Sequence, residues 1–333
     1  MAAVDEGGQA MSSMMLPVTE EEALAAHSQA QQWQLEGRHR EAAAAFEPVA
    51  AFFANAEGEA SPDLANVLID WSESLQALCK YQDAEEKARR GKTILYELRD
   101  RLDPDTRGTL LPRAACMWGR SLRELGRYEE AAISLLDAIK EAERHYGLNH
   151  RELADWLNEY GILCKYWGRY DEGLAYYRRA LRILEDEFGK EAPETASLYH
   201  NLGGLAHTRG HFSEGEPLAR KAFEIRLRAF GVDHPGTVAD EVAWGGLLDG
   251  LKRFDESVPI YRRALTYYEQ RLGPGHFEVA ATLNNLGMAR GMQGDAIEAQ
   301  ALLARSLGIK RTLFLEDHPE VALTAANLES FTA

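Results

Sequence analysis

Three arginines, Arg113, Arg120 and Arg123, stand seven and three residues apart. That spacing lays their side chains along one stripe of a helix. Arg123 and Lys165 each precede a Gly-Arg-Tyr turn, at Gly126 and Gly168, by three residues. A guanidinium presents a planar fork of donors that matches a carboxylate, so the chemistry of this stripe is recognition of acidic groups. Asn158, His200 and Asn284 share a second register, ten residues before a turn, and Asn201 and Asn285 share the next. Asn is a mediocre helix former, but its amide both donates and accepts, which suits pairing with the backbone of an extended segment. His207, three residues before the turn at Gly210, adds a hydrogen-bonding ring. The competing readings are that the amides bond between neighbouring helices and that the arginines pair with Glu124, Asp155 and Glu159.

Other chemistry finds less support. His150, His234, His276 and His318 share one register, which is that of a loop, and they read as structural. His200, His207 and His211 are seven and four residues apart, but the last lies across the turn at Gly210. A metal set converging at about 2.0–2.1 Å is therefore not expected. Phosphate loops, GxSxG, HExxH and CxxC patterns are absent, so catalysis is not expected. Cys116, read as sharing the face of Arg120, would be the one reactive thiol, and no His stands as its base.

These residues are positioned by a repeat. The stretch Glu194 to Gly231 reads as helix, tight turn, helix, and its turn Gly210-His211-Phe212 recurs at Gly126, Gly168, Lys252 and Gly294 in steps of 42 residues. Backwards, the turn returns at Cys79 after 47 residues and at Gly37 after another 42. A fixed period of this size means stacked helix pairs, because one pair cannot bury its apolar face alone. The expected organisation is a tail over 1–18, seven helix-turn-helix units over 19–317 and a terminal capping helix over 318–333. Gly119, Gly161, Gly203, Gly245 and Gly287 precede the turns by seven residues. A helix-interior Gly costs about 1 kcal/mol relative to Ala, so close helix approach is the expected reason, with Trp118, Tyr160, Leu202, Trp244 and Leu286 filling the space. Small residues five after each turn, Ala42 to Ala299, and a second column from Ala138 to Ser306 let the paired helices touch. Gly147, Gly189, Gly231 and Gly273 read as C-caps. Thr19 reads as an N-cap. The five extra residues of the long step fall near Arg99 to Leu111.

Composition narrows the function classes. A net charge of -16 argues against nucleic acid and anionic membrane as partners. No apolar run is long enough to span a bilayer, and no secretory leader is apparent. Three cysteines without paired spacing suit a reducing compartment, so a cytoplasmic location is expected.

The turn motif GRYEEA at Gly126 to Ala131, with TLNNLG (Thr282 to Gly287), GEPLARKAFEIR (Gly215 to Arg226) and DHPEVA (Asp317 to Ala322), resembles tetratricopeptide repeats, in the 42-residue form found in kinesin light chains. The resemblance covers about Glu20 to Leu328. It implies an all-α, right-handed superhelical solenoid whose first helices line a concave groove that takes peptides. On that resemblance Asn158, His200, Asn201, Asn284 and Asn285 would hold ligand backbone, and Arg113, Arg120, Arg123 and Lys165 would read acidic groups. No heptad coiled coil precedes the repeats, so a light-chain-like repeat protein is expected rather than a light chain.

The function expected is therefore a protein- or peptide-binding adaptor or scaffold for an extended acidic segment, with no cofactor. One rival is an enzyme or biosynthetic accessory with a small-molecule cleft around Cys116, Arg120 and His200. The other is a self-assembling array, a homodimer paired through Val321, Leu323, Leu328 and Phe331 of the C-terminal helix.

Overall fold

The structure is a computed structural model, and it describes residues 17, 19–316 and 318–331. The stretch 1–18 expected to form a tail lies, apart from Pro17, outside the described residues. The described residues form fifteen α-helices and one short 3-10 turn, with no strand. They fall into two compact units that meet between Trp167 and Gly168.

The first unit holds α1 (Glu20–Leu35), α2 (His39–Ala56), α3 (Pro62–Ala77), α4 (Tyr81–Leu98), α5 (Pro104–Glu124), α6 (Tyr128–Tyr146) and α7 (Leu153–Trp167). The second holds α8 (Tyr170–Phe188), the 3-10 turn Pro193–Thr195, α9 (Ala196–Thr208), α10 (Phe212–Phe230), α11 (Pro235–Gly250), α12 (Phe254–Leu272), α13 (Phe277–Met292), α14 (Ala296–Leu313) and α15 (Pro319–Glu329). None is long and apolar enough to cross a membrane.

The turns explain the hairpins. Gly37, Gly126 and Gly210 have φ of 75°, 72° and 74°. This left-handed step lets the next amide bond back to the carbonyl five residues earlier, as Arg38 to Trp33 at 2.8 Å and Arg127 to Leu122 at 2.9 Å. Cys79 and Lys252 occupy the same step with φ of 57° and 60°, a conformation that side-chain-bearing residues avoid.

The small-residue columns are the buried seams. Ala42, Ala84, Ala131 and Ala299 are fully buried, as are Ala138, Ala180, Ala222 and Ala264. The Gly column is closed by the second helix of the pair. A Cβ at Gly203 would stand 3.1 Å from the backbone nitrogen of Ala219, and one at Gly245 would stand 3.0 Å from the Tyr261 ring. The expectation that Trp118 and Trp244 fill this space fails. Both rings are half-buried and turn toward the preceding repeat, where their indole nitrogens donate to Glu85 (2.8 Å) and Glu216 (3.0 Å).

The loop histidines cap helices. His234, His276 and His318 precede α11, α13 and α15, and each Nδ1 accepts from the amide two residues on, at 3.1–3.2 Å. His234 and His318 also stack on Phe230 and Phe314, the last aromatics of the preceding repeat. Gly147 and Gly231 end α6 and α10 with φ of 86° and 82° and ψ of 171° and 173°, a region open only to glycine. The five extra residues lengthen a helix: α5 has 21 residues against 16 in α3. Thr19 caps α1 in a reciprocal box with Glu22.

Candidate functional site

The first helices of the first unit divide the basic stripe into two kinds of cation. Arg113 is engaged. Its guanidinium bonds to Asp70 Oδ1 and donates to Asn66 Oδ1 at 3.3 Å, with Glu73 at 3.6 Å. Asp70 is fully buried on α3 and also takes His27 Nε2 at 2.7 Å and Gln31 Nε2 at 2.8 Å. Burial pushes the Asp70 carboxyl up, but the His27 hydrogen bond and the Arg113 charge outweigh it and hold the group below its ordinary value. Arg123 is engaged too. It bonds Glu159 at 2.9 Å and Glu124 at 2.8 Å, and its side chain is only 11% exposed.

Arg120 and Lys165 differ. The nearest carboxylate oxygen to Arg120 is on Glu159, 3.8 Å from its Nε, and that nitrogen is buried with no hydrogen-bond partner. Arg120 lines a cleft of about 370 Å³ with Glu73, Gln76, Tyr81 and Arg123. Lys165, half-buried on α7, has no carboxylate within ion-pairing distance among the described residues. Burial alone acts on its ammonium and pushes the pKa down. An ammonium that gives up water without gaining a counter-charge is a cost to the fold. Asn158 lies half-buried two turns earlier on α7.

Two glutamines that sequence reasoning passed over tie the same helices together. Gln34 donates to the Asp70 carbonyl at 2.7 Å and to Ser74 Oγ at 2.9 Å. Gln76, one repeat on, donates to the Met117 carbonyl at 3.0 Å and to Ser121 Oγ at 2.9 Å. The repeat period pairs Gln34 with Gln76 and could have found them.

In the second unit, His200 Nδ1 donates to Asp240 Oδ1 at 2.8 Å, and Arg226 reaches the same oxygen at 3.2 Å. Asp240 is fully buried, so the imidazole is held with Nε2 as its other face. Asn201 and Asn285 are half-buried, and His207 is exposed against the Phe212 ring, with centroids 5.5 Å apart. Asn284 is buried, and its Oδ1 accepts from Asn327 of α15 at 3.0 Å. On α15, Val321 is buried and Leu323 is 53% exposed, and just beyond the helix Phe331 covers Gly291.

Cys116 stands one turn before Arg120 on α5 but is only 4% exposed, and burial first, then the Glu159 charge, push its thiol well above the ordinary range. It stands as a neutral packing group. Among the described residues no three His, Cys, Asp or Glu side chains gather as a metal site.

Comparison with known proteins bears on this geometry. The tetratricopeptide repeat model matches residues 111–186, 167–228, 194–270 and 241–312. No curated protein matches the chain significantly. Among solved structures, BtubC (BKLC) from P. vanneervenii is 21% identical with a TM-score of 0.56, over 72% of this chain and 92% of that one. A Podosopora anserina protein named for kinesin light chain, with nearly identical TPR-like repeats, is 17% identical with a TM-score of 0.52, over 62% and 95%. A Rap protein complexed with competence and sporulation factor is 12% identical with a TM-score of 0.61, over 94% and 88%. These likenesses concern the fold. With the family model spanning residues 111–312 and the turns there spaced 42 residues apart, the chain belongs to the tetratricopeptide repeat family.

Proposed function

We propose that the first-helix face of the first unit binds a protein or peptide segment carrying acidic side chains, and that the protein acts as an adaptor or scaffold. The observation that carries this is Lys165, a half-buried ammonium with no carboxylate partner in a chain of net charge -16. Arg120, with a buried and unpartnered Nε over its cleft, is the second contact. Arg113 and Arg123, the other cations of the stripe, act as struts: their carboxylates Asp70 and Glu159 come from this chain. Asn158, two turns before Lys165 on α7, then serves ligand backbone. In the second unit, Asn201, Asn285, His200 and His207 offer the same chemistry, and Asn284 serves through its bond to Asn327. A Rap protein of similar fold is complexed with competence and sporulation factor, which agrees with a ligand-binding helical face. Three free cysteines suit a cytoplasmic setting.

The test is a library of twelve-residue peptides screened for binding to wild type and to Arg120→Glu/Lys165→Glu, with circular dichroism to establish that both fold. Binders rich in Asp and Glu, weakened tenfold or more in the variant and by added salt, are expected. Binders without acidic enrichment, or equal binding by the variant, would overturn the reading.

A further inference from the structure

The repeat allows each position to be compared with its counterparts in the same chain. Thirteen residues after each turn stand Ala50, Lys92, Ile139, Leu181, Phe223, Leu265 and Leu307. Lys92 is the one polar residue in this apolar column. Its surroundings have a direct counterpart in the second unit. There Trp244 donates to Glu216, which Arg253 and Arg220 flank at 3.5 and 3.9 Å, and Phe223 stacks on the indole with centroids 5.8 Å apart. In the first unit Trp118 donates to Glu85, and Arg127 and Arg89 flank it at 3.5 and 3.6 Å. Lys92 takes the place of the Phe223 ring, its ammonium 4.6 Å from the Trp118 ring centroid.

A cleft lies at this position. Lys92, Trp118, Tyr96, Arg89 and Arg99 line a cleft of about 390 Å³, with Glu97 as the carboxylate on its wall. The volume lies in the range of small-ligand pockets. Lys92 has no carboxylate within ion-pairing distance among the described residues; its hydrogen-bond partner is Ser134 Oγ at 3.4 Å. Asp137 acts on it only through space, and burial lowers its pKa. Arg99 is fixed by the Tyr96 carbonyl at 2.8 Å and lies over the Tyr96 ring at 5.2 Å. The Trp118 ring is held by its bond to Glu85. Rigid aromatic walls and a cation without a counter-ion describe a site for a flat, negatively charged molecule.

We infer that the cleft between α4 and α5 is a second binding site, for a small anion carrying a flat ring, with Lys92 and Arg89 receiving the carboxylate or phosphate and Trp118 receiving the ring. It is separate from the first-helix face proposed above and does not depend on it.

The test is isothermal titration calorimetry of the full chain with indole-3-carboxylate, adenosine monophosphate and cyclohexanecarboxylate. Lys92→Leu restores the residue class of the column and serves as the decisive variant. At least one aromatic anion should bind at one equivalent, more tightly than cyclohexanecarboxylate, and Lys92→Leu should weaken it tenfold or more. Binding of the first probe alone marks a carboxylate head, and of the second alone a phosphate head. The thermal midpoint of Lys92→Leu should equal or exceed that of wild type. Absence of saturation by both aromatic probes, unchanged affinity in Lys92→Leu, or a lowered midpoint that marks Lys92 as a structural residue would each overturn the assignment.

Discussion

Asp70 and Arg113, 43 residues apart in the sequence, join the first helices of neighbouring repeats through a carboxylate that is itself fully buried. The pair is a strut. Removing Arg113 leaves Asp70 with His27 and Gln31 and without its guanidinium. Arg113→Ala should cost about 2–3 kcal/mol, because an uncompensated buried carboxylate is left behind. Lys165→Ala removes a charge that has no partner and should change stability by less than about 0.5 kcal/mol. Urea denaturation of the two variants separates strut from available cation.

The same carboxylate gives a pH dependence. The Asp70 pKa is lower in the folded chain than its ordinary value of 3.8. The unfolded chain therefore takes up the proton first as pH falls. The stabilisation is complete above the unfolded pKa and is lost as pH drops through the folded one. Asp70→Asn should be less stable than wild type at pH 7, and the gap should narrow below about pH 4. Chemical denaturation at pH 7 and pH 3 checks the direction.

Lys252 carries a left-handed turn, with φ of 60°, that glycine supplies at Gly210. Lys252→Gly should stabilise the second unit by about 1 kcal/mol, since the left-handed conformation costs an ordinary residue about 1–2 kcal/mol and glycine gives back part of that through unfolded-state entropy. The converse, Gly210→Lys, should destabilise by a similar amount. Thermal unfolding of both reads the sign.

Gly203→Ala tests the closed seam. The new methyl would meet the Ala219 Cβ at 3.0 Å and the Ala219 backbone at 3.1–3.3 Å, and neither can swing aside as a side-chain tip can. A loss of about 1–3 kcal/mol is expected from overpacking, although alanine is the better helix former. Calorimetric unfolding should show a lower midpoint for this variant than for wild type.

The sequence made the repeat length, the turn residues and the buried alanine columns readable because each is a local requirement met again at every period. Gly126 must turn and Ala131 must fit, and both are seen without a partner in hand. The stripe of cations was readable as a face but not as a set of roles. Arg113 and Arg120 share residue type and stripe, yet Asp70 lies opposite one of them and a cleft opposite the other. That difference depends on which residue the neighbouring repeat presents, 43 positions away. Trp118 was misassigned for a related reason: its ring could fill the space above Gly119 or reach back to Glu85, and Leu135 of the paired helix had already taken the first place. The loop histidines were readable as structural from their register, but not their task, which is to accept from the amide two residues on.

Two glutamine ties of the first unit each run from one first helix to the next, Gln34 of α1 to Asp70 and Ser74, Gln76 of α3 to Met117 and Ser121. Neither of these rungs spans more than one neighbour. Under tension or protease attack, such a ladder frays from its free end rung by rung, each loss exposing the next. The span that must be searched to form a rung is about one repeat however many repeats follow, so lengthening the array adds rungs without slowing the closing of any one of them.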